Sequence, residues 1–200
     1  MKWFFDMDNP IMTALSIIAD TLILNLLTLL CSLPVITAGA AIAAMNDLTI
    51  HIIRREEGSM FRGYFRSFRA NFRQATLLWL LILAAAGLLY FDYLAAEIYV
   101  PPMRLGIAAI GILLLALVLY AFPLLTRYEN SLRVTLKNAA SLAVGFFPKT
   151  LGMLAFTLVF WLLCIRYIRW GAPVLIMFGF SLPCYVCALL LNPVFAAIEK

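Results

Sequence analysis

Long runs of apolar residues, separated by short polar connections, fill most of the chain. Each run approaches the roughly 20 residues that an α-helix needs to cross a bilayer, and far exceeds the roughly 10 of a spanning β-strand. Because a spanning segment must satisfy its own backbone hydrogen bonds, the pattern predicts an all-α polytopic transmembrane bundle. A single membrane domain over residues 1–200 is expected, with spans at residues 10–33, 37–54, 75–94, 104–126, 150–166 and 172–195.

Proline and asparagine mark several predicted boundaries. Asn9 can cap the first helix, and Pro10 suits its first position because its missing N–H has no partner to lose. Pro34 ends that helix and predicts a tight hairpin into a second helix rich in Ala and Gly, whose small residues favour close packing. Six spans are preferred; if the second helix does not cross fully, there are five. Pro183 predicts a kink in the last span.

The composition leaves no room for a separate soluble domain. Hydrophobic residues make up 65% of the 200 residues, charged residues only 12%, and the mean hydropathy is +1.00. A soluble domain is closer to half apolar and a quarter charged. Lipid is therefore the expected solvent for much of the surface, and the net charge of +5 points to membrane orientation and not to nucleic acid.

Basic residues are concentrated in two connections, around residues 51–74 and 127–150. The connection near Asp92, Glu97 and Arg104 is acidic by comparison. Cytoplasmic loops carry an excess of Lys and Arg, so both basic connections are expected in the cytoplasm, with both termini there in the six-span arrangement.

An amphipathic helix is predicted over residues 60–74, on the cytoplasmic side. An aromatic stripe and an arginine stripe recur at steps of four, three and four, about 100° apart around the helix. Such a helix suits anionic headgroups at the membrane interface, or a docking surface for a cytoplasmic partner such as a transporter ATPase subunit. The residues are Phe61, Phe65, Phe68 and Phe72, and Arg62, Arg66, Arg69 and Arg73.

The first helix carries a polar stripe. Asp20 lies about 15 Å along from the helix start, near the middle of a bilayer, where a carboxylate is costly and should face protein or water. Together with Ser16 and Asn25 it is a candidate intramembrane polar site that lines a solute or proton path. The alternative is a hydrogen bond to a facing helix that fixes packing.

A third polar group is predicted on one face of the second helix. Asp47, His51 and Arg55 are spaced i, i+4 and i+8. A pH-sensing role and a plain interfacial ion-pair ladder are both compatible with this spacing.

No pattern for catalysis or metal binding is found. The chain has one His and no G-x-S-x-G, P-loop or dinucleotide-binding motif, so it is expected not to be an enzyme and to need no cofactor or metal. Cys184 and Cys187 form a C-x-x-C pair without a second ligand pair, and we interpret all four cysteines as small apolar residues.

Three segments are distinctive: NPIMTALSIIAD (9–20), NLLTLLCSLPVITAGAAIAAM (25–45) and EEGSMFRGYFRSFRANFRQAT (56–76). They resemble the YesL-like family of bacterial integral membrane proteins of unknown function. Members often lie beside genes for carbohydrate transporters and glycan-degrading enzymes, so the resemblance implies a role near carbohydrate uptake. Asn46 and Asp47 stand where the family suggests a Tyr-rich stretch, which weakens any claim that this segment's role is shared.

The preferred hypothesis is a non-enzymatic accessory or permease-like component associated with carbohydrate uptake, with sugar transporter subunits as partners. The alternatives are a self-standing small-solute or ion transporter that uses the polar face of the first helix, and a membrane scaffold or regulator without a ligand. A transporter should contain a water-filled cavity reaching Asp20, whereas the interior of a scaffold should be packed and dry.

Overall fold

The computed structural model describes residues 10–56 and 58–198, and in these ranges it contains eight α-helices, one 3₁₀ turn and no strand. The predicted all-α class is confirmed, while the predicted cap at Asn9 lies outside the described residues. The helices are α1 (Pro10–Ser32), α2 (Ala38–Arg54), α3 (Met60–Tyr99), α4 (Met103–Arg127), α5 (Leu132–Gly145), α6 (Phe147–Arg166), α7 (Ile168–Phe178) and α8 (Ser181–Ile198), with the 3₁₀ turn at Val35–Thr37.

Five helices are long and apolar enough to cross a membrane, and a sixth span results if the bent pair α7–α8 is counted as one. The bounds of five of these segments lie within three residues of the predicted spans, whereas the third segment, Met60–Ala96, begins 15 residues before the predicted start at residue 75. Helix α5 falls in the second basic connection, where no separate helix was delimited.

The predicted amphipathic helix and the third predicted span form one unbroken helix. Helix α3 has 40 residues, which corresponds to about 60 Å. No Gly or Pro separates residues 60–74 from the apolar residues that follow, so nothing in the sequence ends the helix between them. The predicted amphipathic segment and the third predicted span are therefore consecutive parts of one helix. In a straight helix the two parts share one axis, so a steep crossing by the apolar part would carry the arginine-bearing part out of the membrane plane.

The last predicted span is broken before Pro183, and not kinked at it. Helices α7 and α8 meet at an angle of 58°, with Gly179 and Phe180 between them. Pro183 is the third residue of α8. In the first turn of a helix the missing N–H of proline costs no hydrogen bond, so Pro183 starts the new helix without bending it.

The small residues of α2 pack against α3, as predicted. Ala40, Ala41, Ala43 and Ala44 are fully buried. A Cβ at Gly39 would stand 2.5 Å from the carbonyl oxygen of Ala75, so the two backbones are in direct contact there.

Helices α2 and α4 both pack against α3. The turn of the α1–α2 hairpin is fixed by a 2.8 Å hydrogen bond from Trp79 Nε1 to the carbonyl oxygen of Val35. Just after α4 ends, the carbonyl oxygen of Asn130 accepts a hydrogen bond from Gln74 Nε2. An opening remains between the start of α1, the end of α2 and the start of α3.

Candidate functional site

An open cavity of about 640 Å³ lies between the start of α1, the end of α2 and the start of α3. Its lining combines carboxylates, guanidinium groups, an imidazole and hydroxyls with a few apolar side chains. The residues are Met12, Thr13, Ser16, Ile17, Asp20, Asp47, Leu48, His51, Ile52, Arg55, Glu56, Gly58, Ser59, Met60, Gly63 and Arg66. Two polar groups that the sequence suggested separately therefore face the same space.

Helix α1 contributes Asp20, Ser16 and Thr13 to the cavity. These residues are three or four positions apart, so one helix face presents all of them. Ser16 Oγ donates to Asp20 Oδ2 over 3.4 Å, and Asp20 is half-buried. The costly carboxylate thus faces an open polar space, as expected of an ionisable group on a spanning helix.

Farther along α1, Thr28 and Asn25 serve packing. Thr28 is buried, and its hydroxyl donates to the carbonyl oxygen of Leu24 one turn earlier. Asn25 is fully buried and does not line the cavity. Asn25 follows Asp20 by five residues, which turns its side chain about 140° around α1, away from the cavity that Asp20 and Ser16 line.

Asn25 instead holds the break between α7 and α8. Its Nδ2 donates to the carbonyl oxygen of Ile176 over 2.8 Å, and its Oδ1 accepts from the backbone N–H groups of Phe180 and Ser181 over 2.9 and 3.1 Å. A broken helix frees backbone groups that hydrocarbon cannot satisfy. One side-chain amide satisfies three of them here.

The end of α2 supplies Asp47, His51 and Arg55 to the cavity, but not as a ladder of three. His51 Nε2 lies 3.9 Å from Asp47, and His51 Nδ1 hydrogen-bonds to Glu56. Arg55 follows the last helical residue in the left-handed conformation, with φ 54° and ψ 40°. This turn moves Arg55 away from the helix face that contains Asp47 and His51. The spacing predicted Arg55 as the next neighbour of His51, but Glu56 occupies that place.

A smaller cavity of about 160 Å³ lies on the other side of this cluster. Asp47, His51 and Glu56 line both cavities. Arg54 lines only the smaller one, and its Nη1 lies 3.8 Å from Glu56. The consecutive arginines at the end of α2 therefore face different spaces.

The predicted Arg and Phe stripes at the start of α3 are exposed except for one ring, which packs against the core. All four arginines are exposed, and so are the rings of Phe61, Phe65 and Phe72. Phe68 is half-buried and packs against the core. An open groove of about 540 Å³ lies over Phe61, Arg62, Phe65, Arg66 and Arg69, and Arg66 borders both this groove and the polar cavity.

Tyr64 is a structural residue that the stripes did not reveal. It is fully buried, and its hydroxyl donates to the carbonyl oxygen of Ala41 over 3.3 Å and contacts Thr28 at 3.5 Å. Tyr64, Ser67, Asn71 and Ala75 follow one another at steps of three, four and four, which is the spacing of one helix face. This face was not identified from the sequence, because the aromatic stripe beside it is the stronger pattern.

Metal binding receives no support from the part of the chain that the structure describes. No group of three or more His, Cys, Asp or Glu side chains is placed to hold an ion within residues 10–56 and 58–198. Cys184 and Cys187 are free thiols, and Cys184 Sγ contacts the side chain of Asn46 at 3.5 Å.

Residues 21–93 match the model of one protein family, described as "Protein of unknown function, DUF624". The matched segment runs from α1 through α2 and into α3, so it includes Asp47, His51, Arg55 and Arg66 but begins one residue after Asp20. The match is compatible with the YesL-like resemblance and does not establish it. Comparison with the curated proteins and with the solved structures gave no match.

Proposed function

We propose that the protein is a non-enzymatic, permease-like component of solute uptake in a bacterial cytoplasmic membrane, and that the polar cavity binds a small polar solute. The observation that carries the proposal is the open cavity of about 640 Å³ lined by charged side chains of three helices. Small-molecule sites commonly measure about 300–1,000 Å³. Ionisable residues on spanning helices are costly and usually mark a solute or ion path.

A sugar is the solute class that we propose, because the cavity offers both hydrogen-bond donors and acceptors. Asp20 and Asp47 provide acceptor oxygens, and Arg55 and Arg66 provide N–H donors. A polyhydroxylated solute needs both kinds of partner. The resemblance to a family found near carbohydrate transporter genes supports the same class.

The cavity is proposed to open toward the cytoplasm. It lies where α2 ends and α3 begins, beside the connection that contains most of the arginines. The excess of Lys and Arg in cytoplasmic loops supports this orientation, with both termini on the same side.

Replacement of Asp20 by Asn is expected to weaken solute binding at least tenfold without changing stability. The amide has the same size and still accepts from Ser16, but it lacks the negative charge that strengthens a hydrogen bond to a sugar hydroxyl. The measurement is binding of a panel of radiolabelled monosaccharides to the full chain in nanodiscs, together with its thermal unfolding midpoint.

Asp92→Asn is the matched control, because Asp92 is exposed in the far half of α3 and does not line the cavity. Equal binding by the Asp20 and Asp92 variants would remove Asp20 from the site. If no member of the panel bound to the unsubstituted chain, the proposed solute class would be wrong.

A second candidate function is that of an accessory subunit that docks a carbohydrate importer. The favouring observation is the exposed groove of Phe and Arg side chains on α3. Arg62 lies about 16 Å along the helix from Arg73. The headgroup layer is only about 5–8 Å thick, so on a steep helix the outer arginines extend beyond it, within reach of an acidic protein surface.

Replacement of Arg62, Arg69 and Arg73 by Gln is expected to abolish association with importer subunits and to leave the solute cavity intact. Arg66 is kept because it also lines the cavity. The readout is mass spectrometry of the importer subunits that co-purify in mild detergent. A matched variant with Gln at Arg133, Lys137 and Lys149 should retain them, and equal co-purification of both variants would contradict the docking role.

A further inference from the structure

Two arginines reach the polar cavity from separate elements, and neither is neutralised within the described ranges. Arg55 comes from the residue after α2, and Arg66 from the second turn of α3. Across residues 10–56 and 58–198, no salt bridge involves either guanidinium group. Both side chains are exposed, so the cavity lining contains two guanidinium groups that form no ion pair with the described residues.

The carboxylates of the cavity, by contrast, have partners within the protein. Asp20 accepts from Ser16, Asp47 lies 3.9 Å from His51, and Glu56 contacts both His51 and Arg54. Although carboxylates outnumber arginines in the lining, their charge is partly engaged by neighbouring side chains, whereas the two arginines form no ion pair with any residue of the described ranges.

The backbone of Arg55 gives an independent indication that its side chain is needed. Arg55 has the only positive φ among the described non-glycine residues. Its N–H caps the end of α2 by bonding to the carbonyl oxygens of His51 and Ile52, in the position where glycine is usual. A side chain in this conformation strains the backbone, and such strain is concentrated at functional sites.

From this geometry we infer that the solute carries an anionic group, a carboxylate or a phosphate, which Arg55 and Arg66 bind, while Asp20 and Asp47 accept hydrogen bonds from its hydroxyls. The inference rests on the proposed solute-binding function and narrows the solute to an acidic or phosphorylated sugar. The planar guanidinium fork matches the oxygens of both groups and can bind them through two parallel hydrogen bonds. The anionic group is directed away from Asp20 and Asp47 by their negative charge.

The test compares solutes that share the glucose ring and differ in the group at C6, with the full chain in phosphatidylcholine nanodiscs. Glucuronate or glucose 6-phosphate is expected to bind at least tenfold more tightly than glucose, by isothermal titration calorimetry. Arg66→Gln and Arg55→Gln should each remove at least a tenfold part of that advantage. Arg133→Gln is the matched control, since its side chain does not line the cavity, and this variant should bind as the unsubstituted chain does.

Three results would be informative in different ways. Binding of glucose as tight as that of the charged sugars would overturn the inference and leave the proposed function standing. Absence of binding by all three sugars would contradict both. Tight binding of inorganic phosphate alone would support the anion site and contradict the sugar as its natural solute.

Arg55→Gly separates a binding role from a structural one. Glycine adopts the left-handed conformation without strain, so this variant should unfold at a temperature about 2 °C higher while losing at least tenfold in affinity for the charged sugar. A lower unfolding temperature together with unchanged affinity would show that Arg55 serves the fold, and would overturn its assigned role.

Discussion

Replacement of Asn25 by Leu should destabilise the protein by about 4 kcal/mol, the largest effect that we expect from a single substitution. Leucine fills a similar volume but leaves the carbonyl oxygen of Ile176 and the N–H groups of Phe180 and Ser181 without a partner. Each buried unsatisfied backbone group costs about 1–3 kcal/mol, and hydrocarbon offers no water to replace the lost bonds. The measurement is the free energy of unfolding in bicelles.

Hydrogen exchange gives a second readout of the same change. The amides of Phe180 and Ser181 should exchange faster in the Leu variant, because the acceptor that holds them is gone. Asn71→Leu is the control, since among the described residues Asn71 bonds only to Ser67 in its own helix, and its loss should cost no more than about 1 kcal/mol. Equal losses in the two variants would show that Asn25 does not hold the break.

Replacement of Gly39 by Ala should destabilise the protein by about 3 kcal/mol. The new Cβ would stand 2.5 Å from the carbonyl oxygen of Ala75 and closer still to the Cβ of Trp79. Neither atom is the end of a flexible side chain, so α2 must move away from α3, and the hydrogen bond from Trp79 to Val35 would be strained as well. Overpacking of this kind costs about 1–3 kcal/mol and sometimes more.

Gly87→Ala provides the matched control in the second half of α3. A Cβ at Gly87 would meet no atom within 4 Å, so the substitution should leave stability unchanged or raise it by up to about 1 kcal/mol through helix propensity. The measurement is the unfolding free energy of both variants under the same conditions. A Gly39 variant as stable as the Gly87 variant would contradict the close contact between α2 and α3.

Helix content and the spans could be predicted because they depend on local composition. Lipid requires each long apolar run to satisfy its own backbone, so six runs gave six segments near the observed positions. The close packing of α2 was also predictable, since only small side chains permit backbones to touch. That residues 60–74 and the third span form one helix was not predicted from the sequence. Polarity changes near residue 75, whereas helix propensity does not.

The candidate site was predictable only in its parts. Asp20 attracted notice as a carboxylate on an apolar helix, and His51 as the single histidine of the chain. Their meeting with Arg66 in one cavity depends on how α1, α2 and α3 lie against each other. Arg55 lines the cavity after a left-handed turn of the backbone. This turn could not be predicted, because glycine is the residue that usually indicates it.

The sequence by itself determined that this protein is a membrane-like bundle of helices, because the solvation of each apolar segment is a property of that segment alone. Only the tertiary structure decided which polar groups share a space and which serve packing. Asn25 and Asp20 lie five residues apart on one helix, yet one satisfies the backbone of a distant broken helix and the other faces an open cavity. The difference arises because each side chain's role depends on the neighbour that folding brings to it.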